Sequence, residues 1–318
     1  MVEKEQITLV YNEQRGLALA KLLLESGYKL VCVEATPGKA ILAEAIPKAA
    51  ILVDTISKAT KGSSVIITVL DSVQADEDVY MDSNGLLLVA EPGSLLLDFS
   101  VTTPTAAKEL HALSAVHDLH YLECTNIGTQ KNWSEATLRL LVAGEEADFA
   151  KAESVLTALS KDLKYVGNAG NAVTARLCLM MSLASSLAGL VEAFAFAKAN
   201  NVDQNTIISL LTSENSAVKS IAEAFGGSII TENFNKHLAA SNFVSDLELA
   251  LEAAEEVSLT LPSLETAVRL YGLLQLISGE DLDLTALALD YYDDVDSERL
   301  GLDWSQTEDE MEDEFDEF

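Results

Sequence analysis

The chain has 318 residues, 49% of them hydrophobic, so it is long enough and apolar enough to bury a core in each of two domains. Its 51 acidic and 20 basic residues give a net charge of −31, which excludes nucleic acid and anionic membrane surfaces as partners. The first residues are charged and lack the apolar stretch of a signal peptide, so we expect a cytoplasmic protein without a membrane span.

Strands and helices alternate along the first half of the chain. Short β-rich runs occur at residues 7–10 and 30–33, and the segment between them carries apolar residues at helical spacing up to Gly27. The pattern continues with β-rich or apolar runs at 64–70, 94–100, 119–125 and 138–142, and with helices near 40–45, 105–115 and 149–159. This alternation predicts a parallel sheet that is covered by helices on both faces.

The second half of the sequence is almost wholly helical. Periodic Ala- and Leu-rich segments lie at 173–199, 204–211, 216–225, 242–256 and 263–277. We therefore predict an α/β domain over 1–166 and a helical domain over 167–295. The first helix is apolar on most of its circumference, which predicts that it is buried between domains or subunits and that the protein is a homodimer.

Residues 296–318 form an acidic tail. Like charges are dense and apolar residues are few, so we expect this segment to be disordered. Aromatic residues interleave with the acids in 304–318, a pattern that can bind a protein partner.

The cysteines and histidines do not form a metal site or a disulfide framework. Cys32, Cys124 and Cys178 are widely spaced in apolar segments, which predicts inert thiols in the core. The histidines are expected at surface or hydrogen-bonded positions rather than around a metal.

Three segments resemble a known family. They are VIITVLDS at 65–72, PGSLLLDFSVTTP at 92–104 and SDLELALEAAEEVSLTLP at 245–262. In this order and spacing the chain resembles the β-hydroxyacid dehydrogenases, which include 3-hydroxyisobutyrate and 6-phosphogluconate dehydrogenases, over about residues 7–292. The resemblance implies an α/β Rossmann-type doubly wound parallel sheet plus an all-α C-terminal domain, and an oxidoreductase dependent on NAD or NADP.

The family's glycine loop, GxGxxG, is largely replaced. In the family this loop joins the first strand to the first helix and lets the backbone approach a pyrophosphate. Residues 10–16 read VYNEQRG, so that only Gly16 remains, at the position that serves helix-to-strand packing. Tyr11 and Glu13 replace the first two glycines, where side chains are expected to crowd the pyrophosphate. Arg15 could offset the charge of Glu13 and form an atypical anion site.

Other candidate cofactor residues lie at the ends of predicted strands. Glu34 ends a predicted strand, where the family has an acid for the ribose hydroxyls of NAD, and Ala35 stands where an arginine would bind the NADP phosphate. NAD is therefore favoured over NADP if either binds. The resemblance adds Leu70 and Ser100, although Ser100 is also predicted to cap the helix that begins near Pro104.

The family's substrate residues are replaced as well. Its Asp-Ala-Pro-Val-Ser-Gly-Gly segment corresponds to residues 123–129, where Ile127 takes the place of the serine and Gly128 is kept. Arg176 falls on the catalytic lysine, and a guanidinium is a poor proton shuttle because it holds its proton far above physiological pH. Leu179 and Met180 fall on two asparagines, which predicts packed core there.

A late lysine of the family corresponds to Ser245, and the aspartate that follows it is kept as Asp246. Arg176 is thus the candidate catalytic residue. The implied substrate pocket consists of Ser100, Gly128, Asn171, Arg176, Ser245 and Asp246.

Two functions remain open from the sequence. The first is a degenerate family member that has lost hydride transfer and acts as a binding or scaffolding protein. The alternative is an atypical NAD(P)-dependent oxidoreductase that acts on a small hydroxy acid or carbonyl compound and uses Arg176, Ser100 and Thr102 or Thr103.

Overall fold

The computed structural model describes residues 5–35, 45–128, 132–133, 137–234, 239–277, 279, 281–291 and 297–303. Two compact units, Met1–Arg176 and Leu177–Phe318, divide the chain. Most of the helix predicted near 40–45 and all of segment 304–318 lie outside the described residues.

The first unit contains a single eight-stranded sheet of order β3-β2-β1-β4-β5-β6-β7-β8. Strands β1 to β6 are parallel, which confirms the predicted parallel sheet. Strand β7 runs antiparallel to β6, because the short connection 127–137 returns the chain without the long crossover that parallel strands need. The strands are β1 (Gln6–Tyr11), β2 (Lys29–Glu34), β3 (Ile51–Val53), β4 (Val65–Val69), β5 (Leu95–Asp98), β6 (His120–Asn126), β7 (Leu138–Gly144) and β8 (Ser160–Tyr165).

Helices cover both faces of this sheet. They are α1 (Gln14–Glu25), α2 (Ile56–Ala59), α3 (Val73–Met81), α4 (Leu86–Val89), α5 (Pro104–Val116) and α6 (Glu146–Leu159). One face buries Leu9 with α1 and α6, and the other buries Val10 with α3 and α5. Since successive residues of β1 belong to opposite cores, the sheet is doubly wound as predicted.

The second unit is helical, as predicted. Its elements are α7 (Asn171–Ala199, which begins in the first unit), α8 (Gln204–Leu211), α9 (Lys219–Thr231), α10 (Ala240–Glu256), α11 (Pro262–Leu276), a 3-10 helix (Leu284–Tyr291) and α12 (Ser297–Leu300). Phe243 packs edge-to-face on Tyr271 with ring centroids 5.3 Å apart, and the Tyr271 hydroxyl donates to the Leu284 carbonyl at 2.9 Å. The 3-10 helix is apolar and buried, and the sequence pattern did not predict it.

Helix α7 is the longest described helix. By length and composition alone it could cross a membrane, but only 39% of its most apolar window is buried within the chain, and core helices pass the same test. Cys178 and Leu179 lie on its exposed side, so their predicted core positions are wrong, whereas Met180 is buried as predicted. The buried side of a helix is fixed by its packing partner, which composition does not reveal.

The first part of the predicted tail is ordered against the second unit. Arg299 of α12 lies 3.7 Å from Glu232, and the backbone N–H of Asp303 donates to the Ile277 carbonyl at 3.1 Å. Disorder of residues 304–318 stays a prediction.

Candidate cofactor and substrate site

The chain order of the strands reverses between β1 and β4, and ligands of open α/β sheets bind at this reversal, beyond the carboxyl ends of the strands. Arg15, Leu70 and Ser100 meet there. The Ser100 hydroxyl accepts a hydrogen bond from the Leu70 N–H at 3.2 Å, and Arg15 Nη2 lies 3.4 Å from the Leu70 carbonyl.

Ser100 does not cap α5, which corrects the sequence prediction. The cap is Thr103, whose hydroxyl accepts from the Ala106 N–H at 3.1 Å, with Pro104 in the first turn. Ser100 instead ties the end of β4 to the end of β5. Its partner lies 30 residues away in the sequence, so local capping rules could not identify it.

Gly16 is required by the packing of Tyr11. A Cβ at Gly16 would lie 2.5 Å from Cβ and 2.9 Å from Cγ of Tyr11. The tyrosine ring is fully buried in the core between β1 and α1. The expectation that Tyr11 crowds a pyrophosphate is therefore wrong, because its side chain turns into the core. Burial raises the pKa of Tyr11 well above the usual range, and Cys32 and Glu34 add to the shift.

Glu13 is the residue that places negative charge at the start of α1. It stands at the N-cap without a side-chain cap hydrogen bond, and its carboxylate forms an ion pair with the Arg15 guanidinium. The Arg15 guanidinium carbon also lies 5.6 Å from the centroid of the Trp133 ring. A carboxylate therefore stands at the N-cap of α1, where its charge is paired with the Arg15 guanidinium.

The loop after β1 is also tied to the loop after β4. Asn12 is buried, its amide donates to Asp71 Oδ1 at 2.7 Å, and its Oδ1 accepts from the Asp71 N–H at 3.0 Å. This two-way bond fixes the backbone on either side of the strand reversal. No local sequence pattern predicts this contact, since the partners are 59 residues apart.

Glu34 lies at the end of β2, in register with Tyr11 of β1. It lines an open groove of about 970 Å³ together with residues after β3 and along α3. The groove carries further carboxylates at Asp54, Glu77, Asp78 and Asp82. Within the described residues, Glu34 Oε1 is buried and accepts no hydrogen bond, and a ribose hydroxyl is a donor that would satisfy it.

Arg176, at the family's lysine position, bonds to the backbone of β6. Its Nη1 donates to the Asn126 carbonyl. The Asn126 side chain closes a turn of its own: it accepts from the Gly128 N–H at 3.2 Å and donates to the Gly128 carbonyl at 3.3 Å. A Cβ at Gly128 would lie 2.3 Å from Asn132 Oδ1, so a side chain there would displace the Asn132 amide.

Glu123 is an anchoring residue whose role the sequence did not predict. Its side chain is 1% exposed, and its carboxylate accepts hydrogen bonds from the Gly170 N–H at 2.6 Å and from the Val173 N–H. It therefore satisfies the first N–H groups of α7. Burial raises the pKa of Glu123 to about 7, while those same N–H groups act to lower it.

The remaining substrate candidates belong to helices α7 and α10. Asn171 is exposed at the start of α7 and donates to the Val166 carbonyl at 3.0 Å. Ser245 and Asp246 belong to α10 of the second unit, where the Ser245 hydroxyl donates to the Ser241 carbonyl at 3.1 Å. Among the described residues, no group of three or more His, Cys, Asp or Glu side chains could hold a metal ion.

Comparisons with known proteins cover both units. A family profile described as the NAD binding domain of 6-phosphogluconate dehydrogenase matches residues 14–167. A second, described as NAD-binding of NADP-dependent 3-hydroxyisobutyrate dehydrogenase, matches residues 169–291.

Individual relatives agree with these profiles. The NAD-dependent L-serine dehydrogenase of Pseudomonas aeruginosa is 25% identical over 276 residues, which are 85% of this chain and 92% of the relative. The cytokine-like nuclear factor N-PAC of Anopheles gambiae is 25% identical over 247 residues, 78% of this chain and 43% of the relative. The solved structure of Mycobacterium tuberculosis 3-hydroxyisobutyrate dehydrogenase with L-serine has a TM-score of 0.82 at 22% identity, covers 90% of this chain and 99% of that one, and shows the shared fold.

Proposed function

We propose that this chain, which belongs to the family of NAD(P)-dependent β-hydroxyacid dehydrogenases, keeps the family's fold but has lost hydride transfer. It acts instead as a binding or scaffolding protein. Glu13 carries this proposal. Its carboxylate stands at the N-terminus of α1, where the family places a glycine and a pyrophosphate would bring two negative charges. Like charges at this point weaken dinucleotide binding.

Arg176 supports the same conclusion from the substrate side. Proton transfer at a hydroxyl needs a group that exchanges its proton near neutral pH, and a guanidinium does not. The guanidinium also bonds to the Asn126 carbonyl. A positioning or carboxylate-binding role fits this residue better than acid–base catalysis.

A relative also supports a role outside catalysis. The Anopheles gambiae protein that matches 78% of this chain is named as a nuclear factor, not as a dehydrogenase. The fold therefore occurs in a protein that is named for another function.

Calorimetric titration with NAD⁺, NADH, NADP⁺ and NADPH tests the proposal. We expect no binding in the micromolar range by the folded wild-type protein. A Glu13→Gln variant, which removes the carboxylate and keeps its size, is expected to bind more tightly than the wild type. Micromolar binding of any of the four by the wild type refutes the loss of cofactor binding.

An atypical oxidoreductase is the second candidate, and the groove at Glu34 favours it. The buried, unsatisfied Glu34 Oε1 suits a ribose hydroxyl, and Ser100 is held at the strand reversal by Leu70. Turnover would be assayed with 2- and 3-hydroxy acids, small aldehydes and L-serine, since one relative is named for serine. Turnover that Arg176→Ala abolishes would favour this candidate. If the wild type turned over none of these substrates, the oxidoreductase candidate would lose its support.

We infer in addition that the protein forms a homodimer through its second unit. Large apolar side chains of that unit are exposed in the single chain. Phe196 is 74% exposed, Leu210 63%, Val257 69% and Leu259 57%. Apolar surface of this kind is typical of a contact with another chain.

A further inference from the structure

Two buried carboxyl groups interact where α3 packs on the sheet. Asp98, at the end of β5, is 2% exposed. It accepts hydrogen bonds from the Thr68 hydroxyl at 2.8 Å, the Tyr121 hydroxyl at 2.7 Å and the Ser100 N–H at 3.0 Å. Three donors suit an ionised carboxylate, which only accepts.

Asp76 is the second carboxyl group. It lies in the first turn of α3, is 1% exposed, and faces Asp98 and Ser100. Within the described residues, neither of its oxygens has a hydrogen-bond partner of normal geometry. A buried, ionised and unsatisfied carboxylate beside a second carboxylate is strongly unfavourable.

Among the described residues, no lysine or arginine side chain faces the two carboxyl groups. From α3 they are faced by Glu77 and by the Tyr80 hydroxyl, which bonds to Thr68 of β4 at 3.0 Å. On β6 the phenol of Tyr121 faces the two carboxyl groups, and the Cys124 and Glu123 side chains lie close to them. The His111 ring of α5 packs on Tyr121, with centroids 6.4 Å apart. A single proton would remove the repulsion between the carboxyl groups.

We propose that Asp76 is a neutral carboxylic acid that donates its proton to Asp98, and that this buried proton holds α3 against the sheet. Burial, and then the charge of Asp98, raise the pKa of Asp76 well above its ordinary value of 3.8. Gln74 and Asp78 of the same helix contribute to the wall of the groove. Loss of the proton would therefore loosen a wall of that groove, whether or not a dinucleotide binds there.

Infrared spectroscopy of the full-length wild-type protein tests the protonation state directly. Above neutral pH we still expect a carbonyl stretch of a protonated carboxylic acid that resists exchange with solvent and is absent from Asp76→Asn. Because Glu123 is also buried and its pKa is raised to about 7, the spectrum is recorded above that pH. A wild-type spectrum without any protonated carboxyl band overturns the proposal, even if the variant does not fold.

Unfolding equilibria across pH give an independent measurement. A raised pKa in the folded state means that the stabilisation is complete below pH 3.8 and is lost as pH rises towards the folded value. An asparagine cannot lose a proton. We expect the unfolding constant of the wild type to rise relative to that of Asp76→Asn by up to about tenfold per pH unit in this range.

Asp78→Asn is the matched control, because it makes the same side-chain replacement at an exposed position of the same helix. Its unfolding constant should follow that of the wild type at every pH. A constant ratio between wild type and Asp76→Asn across pH would overturn the proposal. Selective stabilisation of the wild type by Na⁺ or K⁺, lost in Asp76→Asn, would also overturn it and assign a cation in place of the proton.

Discussion

At the scale of single residues, departures from the family pattern are accommodated by nearby contacts. Tyr11 replaces a glycine and turns into the core, where Gly16 leaves room for its ring. Glu13 replaces a second glycine and pairs with Arg15. Gly16 therefore serves packing in this protein, as expected, but against a residue that the family pattern does not contain.

Gly16→Ala tests this packing. A Cβ would lie 2.5 Å from Tyr11 Cβ, so we expect a loss of about 2 kcal/mol of unfolding free energy, despite the better helix propensity of alanine. Gly227→Ala in α9 is the control, since nothing lies within 4 Å of its Cβ position; it should gain about 0.5–1 kcal/mol. Urea denaturation measures both changes. Equal stability of the two variants would contradict the role of Gly16.

At the scale of elements, buried polar groups fix how strands and helices join. Asn12 and Asp71 connect the loops after β1 and β4, and Ser100 connects the ends of β4 and β5. Glu123 connects β6 to the first turn of α7. These contacts hold the strand ends and helix starts around the candidate site in defined positions.

Glu123→Gln tests the connection to α7. The amide can still accept through one oxygen, but its NH₂ group faces helix N–H donors, so we expect a loss of about 1–3 kcal/mol at neutral pH. Because the pKa of Glu123 is raised from 4.5 to about 7, its contribution to stability declines as pH rises through this interval, and the variant should lack that slope.

The control for this change is Glu109→Gln, an equal loss of charge at an exposed position of α5. It should leave stability within about 0.5 kcal/mol of the wild type. Chemical denaturation at several pH values measures both variants. If Glu123→Gln matched Glu109→Gln, the carboxylate would not anchor α7.

At the scale of the whole molecule, the exposed apolar side chains of the second unit point to self-association. Phe196 of α7 is 74% exposed in the single chain. We expect sedimentation velocity to give a dimer for the wild type and a monomer for Phe196→Glu, because a buried charge would disfavour the interface. Val116→Glu, at a position 78% exposed in the first unit, should remain dimeric. A monomeric wild type would refute the inference.

The sequence by itself determined the two-part architecture and many of its elements, although it did not predict β3, β8, α3 or the 3-10 helix. Helix 204–211 was predicted and is present as Gln204–Leu211, and the strand runs at 7–10 and 30–33 became β1 and β2, because periodicity and turn residues are local signals. Only the tertiary structure decided the antiparallel β7, the exposure of Cys178, the partners of Ser100 and Glu123, and the burial of Asp76. Such contacts join residues far apart in the chain, and packing fixes them.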